Sequence, residues 1–578
     1  MIKRILRYAK PYQKHVWFAI FAIFVEVACE VVQPWLMAGI IDKGIPNQDI
    51  SYIVQQGVLM IGLSALALLT GALGAKHASI AGASLAYAVR KEQMAKIQQF
   101  SFHNIDHFSN ASLITRLTSD ISGIQNTAIM TLRILARAPI MILSTLFLII
   151  QINAQLSLVL VVAVPILALS LFLIIAIAFP RFHKLQQAID NINRTLQENF
   201  IGIRVVKAYV REDYEREKFY TENTNFKKRA LHAMNVVIFN NPIMQLTVYA
   251  CTIAVMWFGG NLAINGVMTT GNLVSYISYI GQLMMSLMMI SFVFVMLTMT
   301  KASVERVFEV LDTHVDIVEP SHATAHEKIS GDVVFENVHF SYAKDPTEEV
   351  LSDISFTLDK GQVLGIIGPT GSGKTSLVQL LPRLFDVTSG KVMVGGKNVK
   401  AYSFETLREQ VAMVLQKNTL FSGTIRENLL WGNPNASEEE MIQAAKYAQA
   451  HDFIMELPDG YDSRVEQGGG NFSGGQKQRL CIARAMVRKP AVLILDDSTS
   501  AVDTATDSKI REAFFNYLPE TTVIIIAQRI SSIQGADKII VLNDGKMDGM
   551  GTHEALLSSN EMYQNIYQTQ LEGVSGNE

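Results

Sequence analysis

The sequence predicts an α-helical membrane domain of six spans with long helical extensions outside the bilayer, followed by an α/β domain built around a phosphate-binding loop. Three observations predict it. The long apolar windows nearly all fall before about residue 300. Two long connections between windows carry no helix breaker. Beyond them a short apolar strand leads directly into Gly368-Pro-Thr-Gly-Ser-Gly-Lys374-Thr375.

At 578 residues, the chain has room for roughly three or four domain-sized units. The net charge of −3 is too small to argue for nucleic acid or a strongly charged partner. Cys29, Cys251 and Cys481 are scattered without ligand-like spacing, so neither a disulfide framework nor a zinc site is supported.

Windows long enough to cross a hydrocarbon core, which takes about 20 helical residues, are expected near 16–41, 54–76, 130–152, 155–179, 243–264 and 272–299. The first is no cleavable signal peptide, because it is too long, carries Glu26 and Glu30, and lacks a small-residue cleavage site. Ahead of it, Ile2, Ile5, Leu6 and Ala9 alternate with Lys3, Arg4, Arg7 and Lys10, a pattern suited to a short helix on the membrane surface. Basic residues crowd the N-terminus and the connections after the second and fourth windows, while 151–155 and 263–272 hold none. The positive-inside rule then places both termini and the two long connections in the cytoplasm.

No proline interrupts the chain between Pro46 and Pro139 or between Pro180 and Pro242. Some 25 residues beyond the bilayer carry each helix about 35–40 Å outward, with turns expected around 108–112 and 209–213. The membrane domain is expected at 1–312, a linker containing Pro320 at 313–330, and the second domain at 331–578.

In that second domain Val363–Ile367 reads as a buried strand, the glycine-rich loop follows at once, and a helix starts near Thr375, the order that confirms a P-loop. Backbone N–H groups of Gly368, Thr370, Gly371, Ser372 and Gly373 are expected to face phosphate, with Ser376 one step along the helix. Lys374 neutralises the β- and γ-phosphates and the Thr375 hydroxyl ligates Mg²⁺. Val492–Asp496 is an apolar strand ending in a carboxylate, and Asp496 reaches the same ion through its water shell.

On these residues, with Phe472-Ser473-Gly474-Gly475-Gln476 as a complete signature, the chain resembles the ABC exporters over nearly its whole length. The resemblance implies an α/β ABC nucleotide-binding domain that takes ATP and Mg²⁺. Tyr342 is similar to the aromatic that stacks on adenine, Gln416 to the Q-loop glutamine that also meets Mg²⁺, and Ser500-Ala-Val-Asp503 to the D-loop. A half-transporter is implied, which must dimerise so that two ATP molecules lie between the P-loop of one chain and the signature of the other. Six spans exclude a soluble ABC ATPase, and the half-size layout suggests a bacterial inner or plasma membrane.

Two residues depart from the family pattern. Asp497 stands where the family keeps a general-base glutamate, and its shorter side chain draws the carboxylate more than about 1 Å back, whereas a base must approach within about 2.6–3.2 Å. Gln528 stands for the switch histidine, and an amide neither carries charge nor shuttles a proton. Gln467, ahead of the signature, also stands near a usual glutamate. ATP binding is expected to survive and hydrolysis at this P-loop to be slow. Ser473, Gly474, Gly475 and Gln476 are intact and complete the site on the partner's P-loop. A heterodimer with a homologous half-transporter follows, as the degenerate-site subunit of a multidrug-type exporter. The alternatives are a homodimeric lipid or peptide exporter and a regulatory, ATP-gated subunit.

For the substrate, Glu26, Glu30, Gln33 and Met37 share one face of the first span. Ionisable groups in a bilayer face a cavity or a partner, so the stripe either attracts cationic amphiphiles or is paired across helices. Met285 and Met289, among the methionines of the last window, suit an adaptable apolar wall and equally suit plain packing.

Overall fold

Apolar repeats of 20 residues or more become helices because only a helix satisfies every backbone group within its own segment in a lipid environment. The computed structural model describes residues 2–320, 322, 327–345, 347–498 and 502–575. Its chain clusters into two units, 1–98 with 111–312, and 99–110 with 313–578.

The first unit contains α1 (Ile2–Ala9), α2 (Gln13–Gly39) and α3 (Ile50–Gln98); α4 (Phe102–Phe108) belongs to the other unit. It continues with α5 (Asn110–Thr115), α6 (Ile121–Ile152), α7 (Leu158–Ile201), α8 (Ile203–Ala208), α9 (Glu212–Val237), α10 (Asn240–Ile264) and α11 (Thr270–Asp312). Among the described residues, six helical stretches are long and apolar enough to span a membrane: Arg7–Gly44, Ile50–Gln98, Asn110–Ile152, Leu158–Ile201, Glu212–Ile264 and Thr270–Ile290. Five of the six, at 38 to 53 residues, outrun a bilayer.

Both reversals differ from expectation in length. The first begins at Gln99, because Ser101 and Asn104 cap the start of α4 reciprocally, each side chain accepting from the other's backbone N–H. The second begins at Gly202, which ends α7 and opens the short α8.

One core joins Val27 and Val31 of α2 to Met141 and Ile149 of α6, Leu160 of α7, Val255 of α10 and Tyr276, Tyr279 and Met284 of α11. Around Pro34, whose ring interrupts the α2 ladder, α11 supplies hydroxyls: Tyr279 donates to the Val31 carbonyl at 2.8 Å and Ser275 to that of Pro34. A second cluster joins Leu85 and Val89 of α3, Ile121 and Ile124 of α6, and Val307 and Phe308 of α11. Beside it Arg116 meets Glu309 at 2.7 Å and Arg306 meets Asp120.

In the second unit two sheets form. The smaller is antiparallel, in the order β2 (Leu351–Leu358), β1 (Val333–Phe340), β4 (Ser389–Val394), β5 (Lys397–Asn398). The larger runs β12 (Lys546–Gly551), β11 (Lys538–Asn543), β3 (Val363–Ile367), β10 (Thr522–Ile526), β9 (Val492–Asp496), β6 (Val411–Val414). All its pairings are parallel except β11 with β12. Strands β3, β9 and β10 are buried at every residue, which is why they read as continuous apolar runs. A two-residue ladder joins β7 (Gly423–Thr424) and β8 (Arg464–Val465).

The helices are α12 (Lys374–Gln379), α13 (Phe404–Gln410), α14 (Ile425–Leu430), α15 (Glu438–Tyr447), α16 (His451–Met455), α17 (Gly474–Val487), α18 (Thr504–Tyr517), α19 (His553–Ser559) and α20 (Glu561–Ser575). Within this unit α4 rests against the domain: Phe102 lies 6.2 Å from Phe385 between ring centroids, and the Asn104 amide donates to the His314 carbonyl at 3.2 Å.

Candidate nucleotide site

The parallel sheet brings the ends of β3, β9 and β10 side by side, Ile366 pairing with Ile526 and Ile526 with Asp496. The loops leaving these three strands carry the P-loop, Asp497 and Gln528, which are far apart in sequence. Ligand sites of open parallel sheets lie at such carboxyl ends.

The P-loop is shaped for close backbone approach. Gly371 and Gly373 have φ of 86° and 91°, a left-handed region that turns successive N–H groups to one side and builds an anion-binding nest. A Cβ on Gly368 would fall 2.0 Å from the Leu542 carbonyl oxygen. Gly368→Ala is therefore expected to cost about 3 kcal/mol through backbone displacement, seen as a lower unfolding temperature together with lost binding of a fluorescent ATP analogue. Lys374 Nζ donates to the Gly368 and Pro369 carbonyls at 2.8 and 2.7 Å, which holds the ammonium over the loop. Burial lowers its pKa. Ser372 is buried, and the Ser376 hydroxyl is 2.8 Å from that of Tyr342. The Tyr342 ring is held edge-on against Phe340 and Phe385, with centroids 4.8 and 5.1 Å away, and remains part-exposed.

The Thr375 hydroxyl donates to Asp496 Oδ1 at 3.0 Å. One hydroxyl and one carboxylate so close form an oxygen donor pair that fits Mg²⁺, which completes its shell with phosphate and water. Burial raises the Asp496 carboxyl above the ordinary range, opposed by the Thr375 hydrogen bond.

Asp497 leaves β9 with φ of 47° and its N–H on the Ile526 carbonyl at 3.1 Å. Gln528 Nε2 donates to Asp497 Oδ2 at 2.7 Å, and the Gln416 side chain bonds the same carboxylate. Burial raises the Asp497 carboxyl, and the two amides pull against that rise. The two departures from the family pattern are thus bonded to each other.

The signature forms the start of α17. Ser473 Oγ accepts from Gln476 N–H at 3.3 Å and Gln476 Oε1 accepts from Ser473 N–H at 2.9 Å. Among the described residues, no hydrogen bond joins Ser473, Gly474, Gly475 or Gln476 to the P-loop, Asp496, Asp497 or Gln528 of the same chain. Gln467 lies in the short turn Gln467–Gly469 ahead of them. Asp503 caps α18 through Thr506 N–H at 2.9 Å, while Ser500 and Ala501 of the same motif lie outside the described residues.

In the membrane unit, Arg137 of α6 binds both acidic residues of α2: Nη1 contacts Glu26 and Nη2 lies 2.6 Å from Glu30 Oε2. Gln33 donates to Ser64 Oγ at 2.7 Å. The acidic residues of this stripe and Gln33 are thus bonded across helices. Arg137 carries the same signal as the glutamates, an ionisable group in an apolar window, but the pairing is invisible along one helix. Gly71 of α3 makes room for the cluster, since a Cβ there would come within 3.1 Å of the Glu26 carboxylate. On α11, Met284 is fully buried and Met288 packs against the core, whereas Met285 is exposed and Met289 intermediate.

Comparison with known proteins agrees with this geometry. Residues 16–287 match the ABC transporter transmembrane region and 351–500 match the ABC transporter family. An uncharacterized ABC transporter ATP-binding protein of Bacillus subtilis, YfiB, is 39% identical over 577 residues, with 100% of both chains covered. An ATP-dependent lipid A-core flippase of Desulfotalea psychrophila is 31% identical and a putative multidrug export ATP-binding/permease protein of Bacillus subtilis, YgaD, is 30% identical, each with 99% of both chains covered. Among solved structures, a bacterial Atm1-family ABC exporter with ATP bound superposes with a TM-score of 0.82 at 25% identity, covering 96% of this chain and 98% of that one. The chain belongs to the ABC transporters, as an exporter half in which the six-span membrane region and the ATP-binding domain are fused in one polypeptide.

Proposed function

We propose that this chain is the degenerate-site half of a heterodimeric, ATP-driven exporter of hydrophobic or amphiphilic compounds. It sits in a cell membrane with both termini cytoplasmic. Its P-loop holds ATP with Mg²⁺ at Thr375, Gln416 and Asp496, and its signature completes the catalytic site on the partner's P-loop. The observation that carries the reading is the bond between Gln528 and Asp497. A general base must bring its carboxylate within about 2.6–3.2 Å of the attacking water, and the short Asp497 side chain is instead tied to the Gln528 amide, which can neither accept the proton nor relay it. The signature, by contrast, is complete and capped for use.

The multidrug assignment draws on the relative named for multidrug export and on the exposed Met285. The relative named as a lipid flippase supports a second reading, a lipid substrate. ATP-dependent uptake of a cationic dye into inverted vesicles, set against transbilayer movement of a labelled lipid, separates the two.

Asp497→Asn tests the division of labour. The assembled transporter is expected to keep at least about half of its ATP turnover, because a well-placed base is worth about 10²–10⁴ in rate and Asp497 supplies little of that. Steady-state phosphate release measures it, and abolition of turnover would overturn the reading.

A further inference from the structure

Gln528 reaches the phosphate end of the site only if the backbone that carries it is held in place. Strand β10 ends at Ile526, Ala527 is still held by its N–H on the Ile366 carbonyl at 3.2 Å, and the next buried residues are Ile530 and Ile533, each about 1% exposed. The Gln528 segment lies between these two fixed points. One side is braced by α18, where Arg511 donates to the Ser531 carbonyl at 2.9 Å and Ser532 Oγ to Asp507. The other side is braced by the last helix of the chain. There Gln570 Nε2 donates to the Gln528 carbonyl at 2.8 Å, while Gln570 Oε1 accepts from the Ile530 N–H at 2.9 Å.

Gln570 is delivered by helical spacing. Tyr563, Ile566 and Tyr567 of α20 pack into the core that contains Ile530 and Ile533. Gln570 falls seven, four and three residues after them, on the same helix face. A primary amide is suited to this task, because it presents a donor and an acceptor together and so meets the carbonyl of one residue and the N–H of the next but one. Lysine has no acceptor, glutamate no donor, and asparagine is a methylene short.

We propose that Gln570 is a positioning residue for the switch segment: it clamps the backbone of Gln528 and Ile530 and so holds the Gln528 side chain on Asp497, at the edge of the nucleotide site. The C-terminal helix thereby becomes part of the ATP site without touching ATP. The inference rests on the P-loop holding ATP and is independent of the division of labour between two chains.

The test uses the full chain in lipid nanodiscs. In Gln570→Ala, amide hydrogen exchange of the 529–533 backbone should accelerate by about fivefold, the worth of one hydrogen bond. ATP affinity should fall by about threefold to tenfold with ADP affinity unchanged, since only the γ-phosphate end depends on Gln528. In Gln570→Glu, which keeps the acceptor for Ile530, the exchange protection should be retained. Placed in a Gln528→Ala background, Gln570→Ala should still accelerate exchange but have no further effect on ATP affinity, the non-additivity expected when one residue acts through another. Unchanged exchange, equal losses of ATP and ADP, or a loss of ATP affinity that persists in the Gln528→Ala background would each overturn the proposal.

Discussion

Ser473→Arg is expected to abolish ATP turnover by the assembled transporter, by about 10²–10³-fold, the usual cost of removing one preorganised donor from a developing phosphate charge. The substitution leaves the fold alone, because Ser473 is exposed at the start of α17 and contributes one cap to a helix whose core residues, Leu480, Ile482, Ala483 and Met486, are fully buried. Loss of the cap costs about 1 kcal/mol, too little to unfold the domain. The arginine places a long cation where hydroxyl and glycine amides would close on the partner's ATP. Because, among the described residues, the signature makes no hydrogen bond to the P-loop of its own chain, ATP binding by this chain alone should be unchanged. A fluorescent ATP analogue checks that arm and phosphate release checks the other. The contrast with Asp497→Asn is the decisive pattern: turnover survives loss of this chain's carboxylate and fails without its signature serine. Equal sensitivity to both substitutions would instead place two equivalent sites in a homodimer.

Arg137→Leu is expected to produce the largest loss of stability in the membrane unit. Arg137 is the shared partner of Glu26 and Glu30, and its removal leaves two carboxylates one turn apart on α2 without their counter-ion from α6. Breaking a buried ion pair costs about 3–5 kcal/mol. The three side chains are 19–33% exposed, so a value near 3 kcal/mol is expected. Replacing all three charges, as Glu26→Gln, Glu30→Gln and Arg137→Leu together, should recover much of that loss, because the desolvated charges disappear along with the pairing. Thermal unfolding in detergent measures both variants. If the triple variant is no more stable than Arg137→Leu, the arginine acts through packing and not through the carboxylates.

The membrane unit and the P-loop were legible in the chain for different reasons. Long apolar runs announce spans because a bilayer tolerates few other structures, and the proline-free stretch after Pro46 gave the 49-residue helix α3, while α7 stays helical over 44 residues through Pro165 and Pro180. The reversals were harder to place, since a reciprocal Ser101–Asn104 cap and a lone Gly202 are weak signals amid strong helical periodicity. The P-loop was legible because its glycines are fixed by sterics: residues bearing Cβ cannot stand at Gly368 beside the Leu542 carbonyl. Asp497 and Gln528 stood out only against a family pattern, and their mutual bond could not be read from positions 31 residues apart.

By itself the sequence determined the order of the parts, the number of spans, the phosphate loop and the residues at its edge, because periodicity, proline placement and glycine spacing act locally along the chain. Tertiary structure alone decided the partners. Parallel pairing of β3, β10 and β9 brings Thr375, Asp496, Asp497 and Gln528 together, helix packing gives Glu26 and Glu30 to Arg137, and the docking of α20 sets Gln570 against the switch backbone. These are choices among many chemically acceptable partners for each amide and carboxylate. A side chain's type limits that choice, but only the packed backbone, by fixing distance and direction, selects one.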